Sequence, residues 1–150
     1  MTRIVAVLLL LAILPTACGS DSDDNADSAT AATRLCRDLE RELATVDPPR
    51  EIEEPDELAA FVRGTATSVG AWIERMRELE PDAADAEQVA SMLDRYTEAV
   101  ILVEEAAAAL ERGKERRYQE LVREAERPSM RGDRIARELD VETCAYPLSG

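Results

Sequence analysis

Hydrophobic residues recur every three or four positions through most of the chain after residue 33. This spacing places them on one face of an α-helix, which has 3.6 residues per turn. One long stripe consists of Leu58, Val62, Thr65, Val69, Trp72, Met76 and Leu79. A second consists of Val89, Met92, Tyr96, Ala99, Val103, Ala106 and Leu110. No β-rich run or hairpin turn competes with these stripes, so the pattern predicts an all-α fold.

Proline and glycine residues divide this region into four predicted helices, at about 33–46, 55–80, 82–112 and 114–139. Asp82 or Asp85 can cap the third helix, and Gly113 can end it. Pro128 removes a backbone donor inside the fourth helix and Gly132 weakens its next turn. We therefore expect one helix kinked near Pro128, or two short helices in line. Four striped helices with short connections predict an antiparallel four-helix bundle.

The chain begins with a basic residue and a short apolar run. Arg3 precedes eleven consecutive apolar residues, Ile4 to Leu14. A bilayer-spanning helix needs about 20 apolar residues, so this run is too short to span a membrane. A basic start, a run of this length and small residues after it are typical of a secretory signal peptide. The sequence therefore predicts export.

The residues after the apolar run are Leu-Pro-Thr-Ala-Cys-Gly-Ser, ending at Ser20. They resemble a bacterial lipoprotein signal, in which the cysteine is lipidated and becomes the new N-terminus. Pro15 departs from the pattern, which usually has an aliphatic residue there. The resemblance implies a signal peptide over 1–17 and lipid attachment at Cys18. The alternative is a freely secreted protein, cut by the general signal peptidase near Ala26–Ser28.

Residues 19–33 contain no large apolar side chain. Such a segment cannot bury enough apolar surface to fold, so we predict a disordered tether over 18–33 and a helical-bundle domain over 34–150. The acidic start of the segment is not a calcium loop, because Ala26 and Ala32 stand where the loop needs glycine and glutamate. No metal site is predicted.

Three cysteines form an odd set for an exported protein. If Cys18 carries lipid, Cys36 and Cys144 remain. An oxidising compartment favours a disulfide between these two. A redox pair is the alternative, although the chain has no Cys-x-x-Cys motif.

The chain has a net charge of −14 and no histidine. Chemistry that requires imidazole is therefore excluded, and an acidic surface argues against nucleic acid as a partner. Carboxylates are plentiful, and adjacent pairs such as Glu104 and Glu105 fit a solvated helix surface. No phosphate-binding loop, nucleophile elbow or metal-spaced cluster is present, so no cofactor is expected.

Trp72 and Tyr96 are the aromatic residues on the two longest stripes. Their positions predict first of all that both side chains pack in the hydrophobic core. The functional alternative is that they line a cavity between helices, where bundle proteins often bind ligands.

Basic residues are 17 arginines and one lysine. This bias, together with the lipoprotein-like signal, resembles the small lipoproteins of actinobacteria, whose function is unknown. Residues 136–144 resemble the ending of uncharacterised actinobacterial helical-bundle proteins. There an Ala-Arg-x-Leu-Gly-Leu run precedes a cysteine that pairs with one on the first helix. Here Asp140 stands in place of the glycine and Val141 in place of the second leucine. The resemblance implies a disulfide-tied bundle and brings no known activity.

These observations predict a lipid-anchored protein on the outer face of the cytoplasmic membrane. We expect a non-enzymatic module that presents a surface or cavity to an envelope protein or a small ligand. A freely secreted helical protein is the first alternative. A small envelope enzyme that uses carboxylates alone is the less favoured one, since it needs two carboxylates about 5–9.5 Å apart in one cleft.

Overall fold

The computed structural model describes residues 21–48 and 54–141, with the backbone alone described over 21–29. These residues form four helices: α1 (Asp21–Leu43), α2 (Pro55–Arg77), α3 (Ala86–Glu111) and α4 (Glu115–Glu138). The described segments contain no strand. The predicted all-α helical bundle is confirmed. The signal peptide, Cys18 and Cys144 lie outside the described residues.

The helices pack in chain order, α1 on α2, α2 on α3 and α3 on α4. The main core takes residues from all four helices: Ala32, Cys36, Leu39, Trp72, Ile73, Met76, Met92, Leu93, Tyr96 and Ala136. A smaller cluster consists of Ala106, Ala109 and Leu121. Alanine is small at these α3 positions, which allows the backbones of α3 and α4 to approach closely.

Contacts between α3 and α4 join opposite parts of the two helices. Tyr96, in the first half of α3, bonds to Asp133 in the second half of α4. Ala109, near the end of α3, packs with Leu121 near the start of α4. The antiparallel order of the bundle as a whole stays a prediction.

The ends of α3 and α4 share one backbone motif. Gly113 follows α3 with φ +65°, and the Lys114 amide donates to the Ala109 carbonyl at 2.9 Å. Asp140 follows α4 with φ 57°, and the Val141 amide donates to the Ala136 carbonyl at 2.9 Å. Both are Schellman caps, in which a left-handed residue ends the helix. The predicted role of Gly113 is confirmed.

The structure corrects the predicted start of the first helix. α1 begins at Asp21, well before Thr33, so residues 21–33 are helical where a disordered tether was predicted. The prediction weighed only the lack of large apolar side chains. Extending a helix from the buried part of α1 needs no new nucleus. The segment is also rich in alanine, and its early aspartates favour the positive end of the helix dipole.

Pro128 lies inside α4 and is buried there. The helix continues through it as one element, so the alternative of two short helices in line is wrong. The kink near Pro128 stays a prediction.

Candidate functional site

Trp72 and Tyr96 lie in contact at the centre of the core. Their ring centroids are 5.7 Å apart with an angle of 68° between the planes, an edge-to-face arrangement. Their exposed fractions are 1% and 4%. Such a pair contributes roughly 0.5–1.5 kcal/mol beyond its buried area. The structure therefore brings the two predicted site residues together, primarily as core.

Tyr96 also carries the polar contact of this core. Its hydroxyl donates a hydrogen bond of 2.8 Å to Oδ1 of Asp133 on α4. Burial, the hydrogen bond and the negative charge of Asp133 together raise the pKa of Tyr96 well above its ordinary value of 10.0. Tyr96 is thus held in its protonated, donating form. It is a fixed structural donor and a poor candidate for a proton acceptor.

Gly132 lies directly beneath the Tyr96 ring. A Cβ atom at this glycine would be 2.8 Å from Cε1 of Tyr96. The ring consequently packs against the backbone of α4. From the sequence, Gly132 indicated only a weakened helical turn. The sequence signal that could have indicated its role is a glycine on the buried face of a helix, because such a position leaves room for a large ring from a neighbouring helix.

A small cavity lies beside Tyr96. It measures about 50 Å³ and is lined by Thr65, Ala66, Val69, Tyr96, Ala99, Val100, Val103 and Ser129. The described lining does not include Trp72. Ligand pockets commonly measure about 300–1,000 Å³, so this space is too small for most ligands.

A larger pocket opens at the end of the bundle, and we call it the end pocket. It measures about 260 Å³ and is lined by Ala32, Met76, Leu79, Pro81, Asp82, Asp85, Val89, Met92, Leu139 and Val141. Met76 and Met92 belong to the same core cluster as Trp72 and Tyr96. Sequence reasoning missed this pocket, because its lining comes from α1, α2 and α3, from the segment between α2 and α3, and from residues just beyond the end of α4.

The charged residues among the described lining of the end pocket are Asp82 and Asp85. Asp85 occupies the N-cap position of α3, yet its side chain makes no capping hydrogen bond. Asp82 Oδ1 accepts a hydrogen bond of 3.3 Å from the Ala84 amide. Both aspartates are exposed, so the mouth of the pocket is negatively charged.

Two arginines in the last turn of α2 form hydrogen bonds with glutamates. Arg75 donates to Glu42 at 3.2 Å, and Arg77 donates to Glu74 at 2.7 Å. The C-terminal ends of α2 and α4, which carry partial negative charge, and the N-terminal end of α3, which carries partial positive charge, all lie at this pocket. The formal charges among the described lining residues are therefore those of the two aspartates.

Cys36 is 1% exposed and lies on the buried face of α1. Ala32, one helical turn earlier on the same face, lines the end pocket together with Val141. The predicted partner, Cys144, lies outside the described residues.

Within residues 21–48 and 54–141, no group of three or more potential ligand side chains is placed to hold a metal ion. In the same part of the chain, no helix combines the length and the apolar character that crossing a bilayer requires. The chain matches no protein family, no curated protein and no solved structure.

Proposed function

We propose that this protein is a lipid-anchored module on the outer face of the cytoplasmic membrane that binds a ligand without transforming it. The observation that carries the binding role is the end pocket, a largely apolar space of about 260 Å³ with a charged mouth. Apolar pockets with a few polar groups are the usual form of small-molecule sites. The resemblance to actinobacterial lipoproteins supports the anchoring role.

Cys18 is the proposed lipid attachment residue. The net charge of −14 opposes electrostatic binding to anionic headgroups, so acyl chains must provide the attachment. We expect the Cys18→Ser protein to leave the membrane fraction of its host, whereas a matched Ser20→Ala protein stays there. Membrane and soluble fractions are compared by immunoblot. A Cys18→Ser protein that remains in the membrane contradicts the anchor. Wild-type protein in the medium supports the freely secreted alternative.

A disulfide between Cys36 and Cys144 is the second part of the proposal. Val141 and Ala32 line the same pocket, and Cys36 lies one turn from Ala32 on α1. Three steps of chain, up to about 10 Å when extended, separate Val141 from Cys144. Without reductant, iodoacetamide should modify neither cysteine, and after reduction it should modify both. Two modified thiols in the unreduced, denatured protein contradict the pairing.

The binding role is tested by native mass spectrometry of protein purified gently from its host membrane. We expect a retained mass that the wild-type protein carries and a Val89→Phe protein lacks, because the larger side chain fills the end pocket. Val89 lies in the pocket lining and is only partly buried, so the exchange has room. A retained mass that is equal in both proteins contradicts binding at this pocket.

A further inference from the structure

We infer that the outer face of α4 docks on an anionic phospholipid surface and thereby sets the orientation of the anchored domain. This inference rests on the proposed lipid anchor and adds a second membrane contact to it. We call the surface the α4 arginine face, and it consists of Arg123, Arg127, Met130 and Arg131. Two separate observations carry the inference, a local excess of arginines without ion-pair partners and an exposed methionine between them.

The α4 arginine face lies on the exposed side of the helix. Its members are exposed, whereas Ala125 and Gly132 on the other side are buried. Arg123, Arg127 and Arg131 follow one another at four-residue spacing, so their side chains lie along one side of the helix. The solvent-facing side of a single helix is convex. It therefore suits a flat partner such as a lipid surface better than an inserted chain.

This part of the chain is basic in an acidic protein. Residues 116–137 contain seven arginines and four acidic residues, a net charge of +3, whereas the whole chain carries −14. By contrast, α3, on which α4 packs, contains six acidic residues and one arginine. Charge is thus separated across this pair of helices, and an anionic surface is attracted to the α4 side of the pair.

Most acidic neighbours of the α4 arginine face are engaged by other residues. Arg117 lies 3.5 Å from Glu120 and 3.4 Å from Glu124, measured from Nη1 to the carboxylate oxygens. Asp133 accepts the hydrogen bond from the α3 tyrosine. Glu126 is the remaining acidic residue of residues 116–137. The face therefore sets three arginines against one nearby carboxylate.

The three arginines of the face have no ion-pair partner among the described residues. The ion pairs of α4 there involve other arginines, Arg116, Arg117 and Arg134. Like charges four residues apart on a helix repel each other. Lipid phosphates next to the face would offset this repulsion, because each of them attracts the arginines.

Met130 supplies the apolar part of the face. Its side chain is 64% exposed, more than that of any other large hydrophobic residue that the structure describes. A methionine side chain is flexible and apolar, and the stems of neighbouring arginines are apolar too. Such a combination of apolar and basic side chains is typical of helices that lie in the headgroup region.

The charge of the whole chain limits what this contact can do. A net charge of −14 opposes attachment to anionic lipid, so acyl chains hold the protein at the membrane. Within a Debye length of the surface, the α4 side is attracted and the acidic α3 side is repelled. The contact therefore selects an orientation and does not supply the attachment.

Oxidation of Met130 reports on this contact in the unmodified chain. Met76 and Met92 are 4% and 0% exposed, so hydrogen peroxide should reach Met130 first. Protein purified from its host membrane is reconstituted into vesicles of phosphatidylcholine alone, or of phosphatidylcholine and phosphatidylglycerol in equal parts. We expect phosphatidylglycerol to slow Met130 oxidation, followed by peptide mass spectrometry, by at least about fivefold, and added salt to remove the effect.

Substitution of the three arginines tests the face directly. A triple glutamine variant should oxidise at the same rate in both kinds of vesicle (R123Q, R127Q and R131Q). A triple lysine variant should keep the protection, because a lipid surface attracts the charge and needs no fixed geometry (R123K, R127K and R131K). The matched control removes the same charge from three exposed arginines of α1 and should also keep it (R34Q, R37Q and R41Q). Circular dichroism checks that all variants stay helical.

The outcomes separate the docking face from the anchor. Vesicle flotation shows whether the protein is attached, and oxidation shows how it lies. Attached wild-type protein with equal Met130 oxidation in both vesicles overturns the inference and leaves the anchor in place. Flotation with phosphatidylglycerol vesicles alone supports the face and contradicts the anchor, and flotation with neither contradicts both.

Two further results would assign the protection to another cause. Loss of protection in the α1 control as well as in the triple glutamine variant means a general charge effect, and it overturns the docking of α4. Protection of Met130 that is equal in both vesicles and increases with the density of protein in the bilayer makes a second copy the occupant of the face, and it also overturns the inference.

Discussion

The hydroxyl group of Tyr96 lies 2.8 Å from Oδ1 of Asp133, and this hydrogen bond joins α3 to α4 across the core. The residue before Asp133 is Gly132, whose missing side chain makes room for the Tyr96 ring. Asp133 and Gly132 thus act on the same ring, one by holding its hydroxyl and the other by giving it space. Each contribution can be removed separately.

Gly132→Ala should destabilise the protein by about 1–3 kcal/mol, because the new methyl group overlaps a ring that Asp133 holds in place. Gly70→Ala is the matched control. A Cβ at Gly70 would lie 3.9 Å from Val100 Cγ1, an ordinary contact, so the helix should gain about 0.5–1 kcal/mol. Both values come from urea unfolding. Equal effects of the two exchanges would contradict the close packing at Gly132.

Tyr96→Phe should lower the free energy of unfolding by about 1–2 kcal/mol. The exchange keeps the ring contact with Trp72 and removes the donor to Asp133. Tyr118→Phe is the control, since no hydrogen bond from that hydroxyl is found within the described residues, and it should change stability by less than about 0.5 kcal/mol. If Tyr96→Phe is as harmless as the control, the hydrogen bond does not contribute to folding.

The free energy of unfolding of the wild-type protein and that of Tyr96→Phe should depend differently on alkaline pH. The pKa of Tyr96 in the folded protein is raised above the value of 10.0 in the unfolded chain. Below pH 10 both states are protonated and the stabilisation by Tyr96 is complete. Above pH 10 the unfolded state loses its proton while the folded state keeps it, so the stabilisation declines. The stability difference between wild type and Tyr96→Phe should therefore shrink between pH 10 and pH 11.5. A constant difference would contradict the raised pKa.

Asp140→Gly should stabilise the protein by about 0.5–1 kcal/mol. Asp140 adopts φ 57° at the end of α4, a conformation that glycine adopts without steric cost. The reverse exchange at the matching position, Gly113→Asp, should be destabilising by a similar amount. A Cβ at Gly113 meets nothing within 4 Å, so the cost there comes from the backbone. Thermal melts of both proteins check the opposite signs.

The four helices could be predicted because their signals are local. Pro55 stands at the start of α2 and Gly113 follows the end of α3, as the sequence pattern indicated. The start of α1 could not be placed, since helix propagation from buried residues outweighed the polar composition. The role of Gly132 also depends on Tyr96, which lies 36 positions earlier and on another helix. Neither residue predicts the contact alone.

The end pocket could not be predicted from the sequence, for a related reason. Periodicity predicts the faces of helices, whereas this pocket forms where helices stop. The side chains of Leu79, Pro81, Leu139 and Val141 reach it from chain segments that have left the regular helices. Their positions depend on loop geometry and on the Schellman cap of α4, which hydrophobic spacing does not encode.

The early start of α1 changes how the proposed anchor would hold the domain. Two residues, Gly19 and Ser20, separate Cys18 from the first helical residue, Asp21. A helix rises 1.5 Å per residue, so α1 extends about 20 Å from Asp21 to Arg34. The lipid would then be attached close to the start of a helix and not to a long disordered tether. The length of this helix would then limit how far the rest of the domain, with its end pocket, can stand from the bilayer.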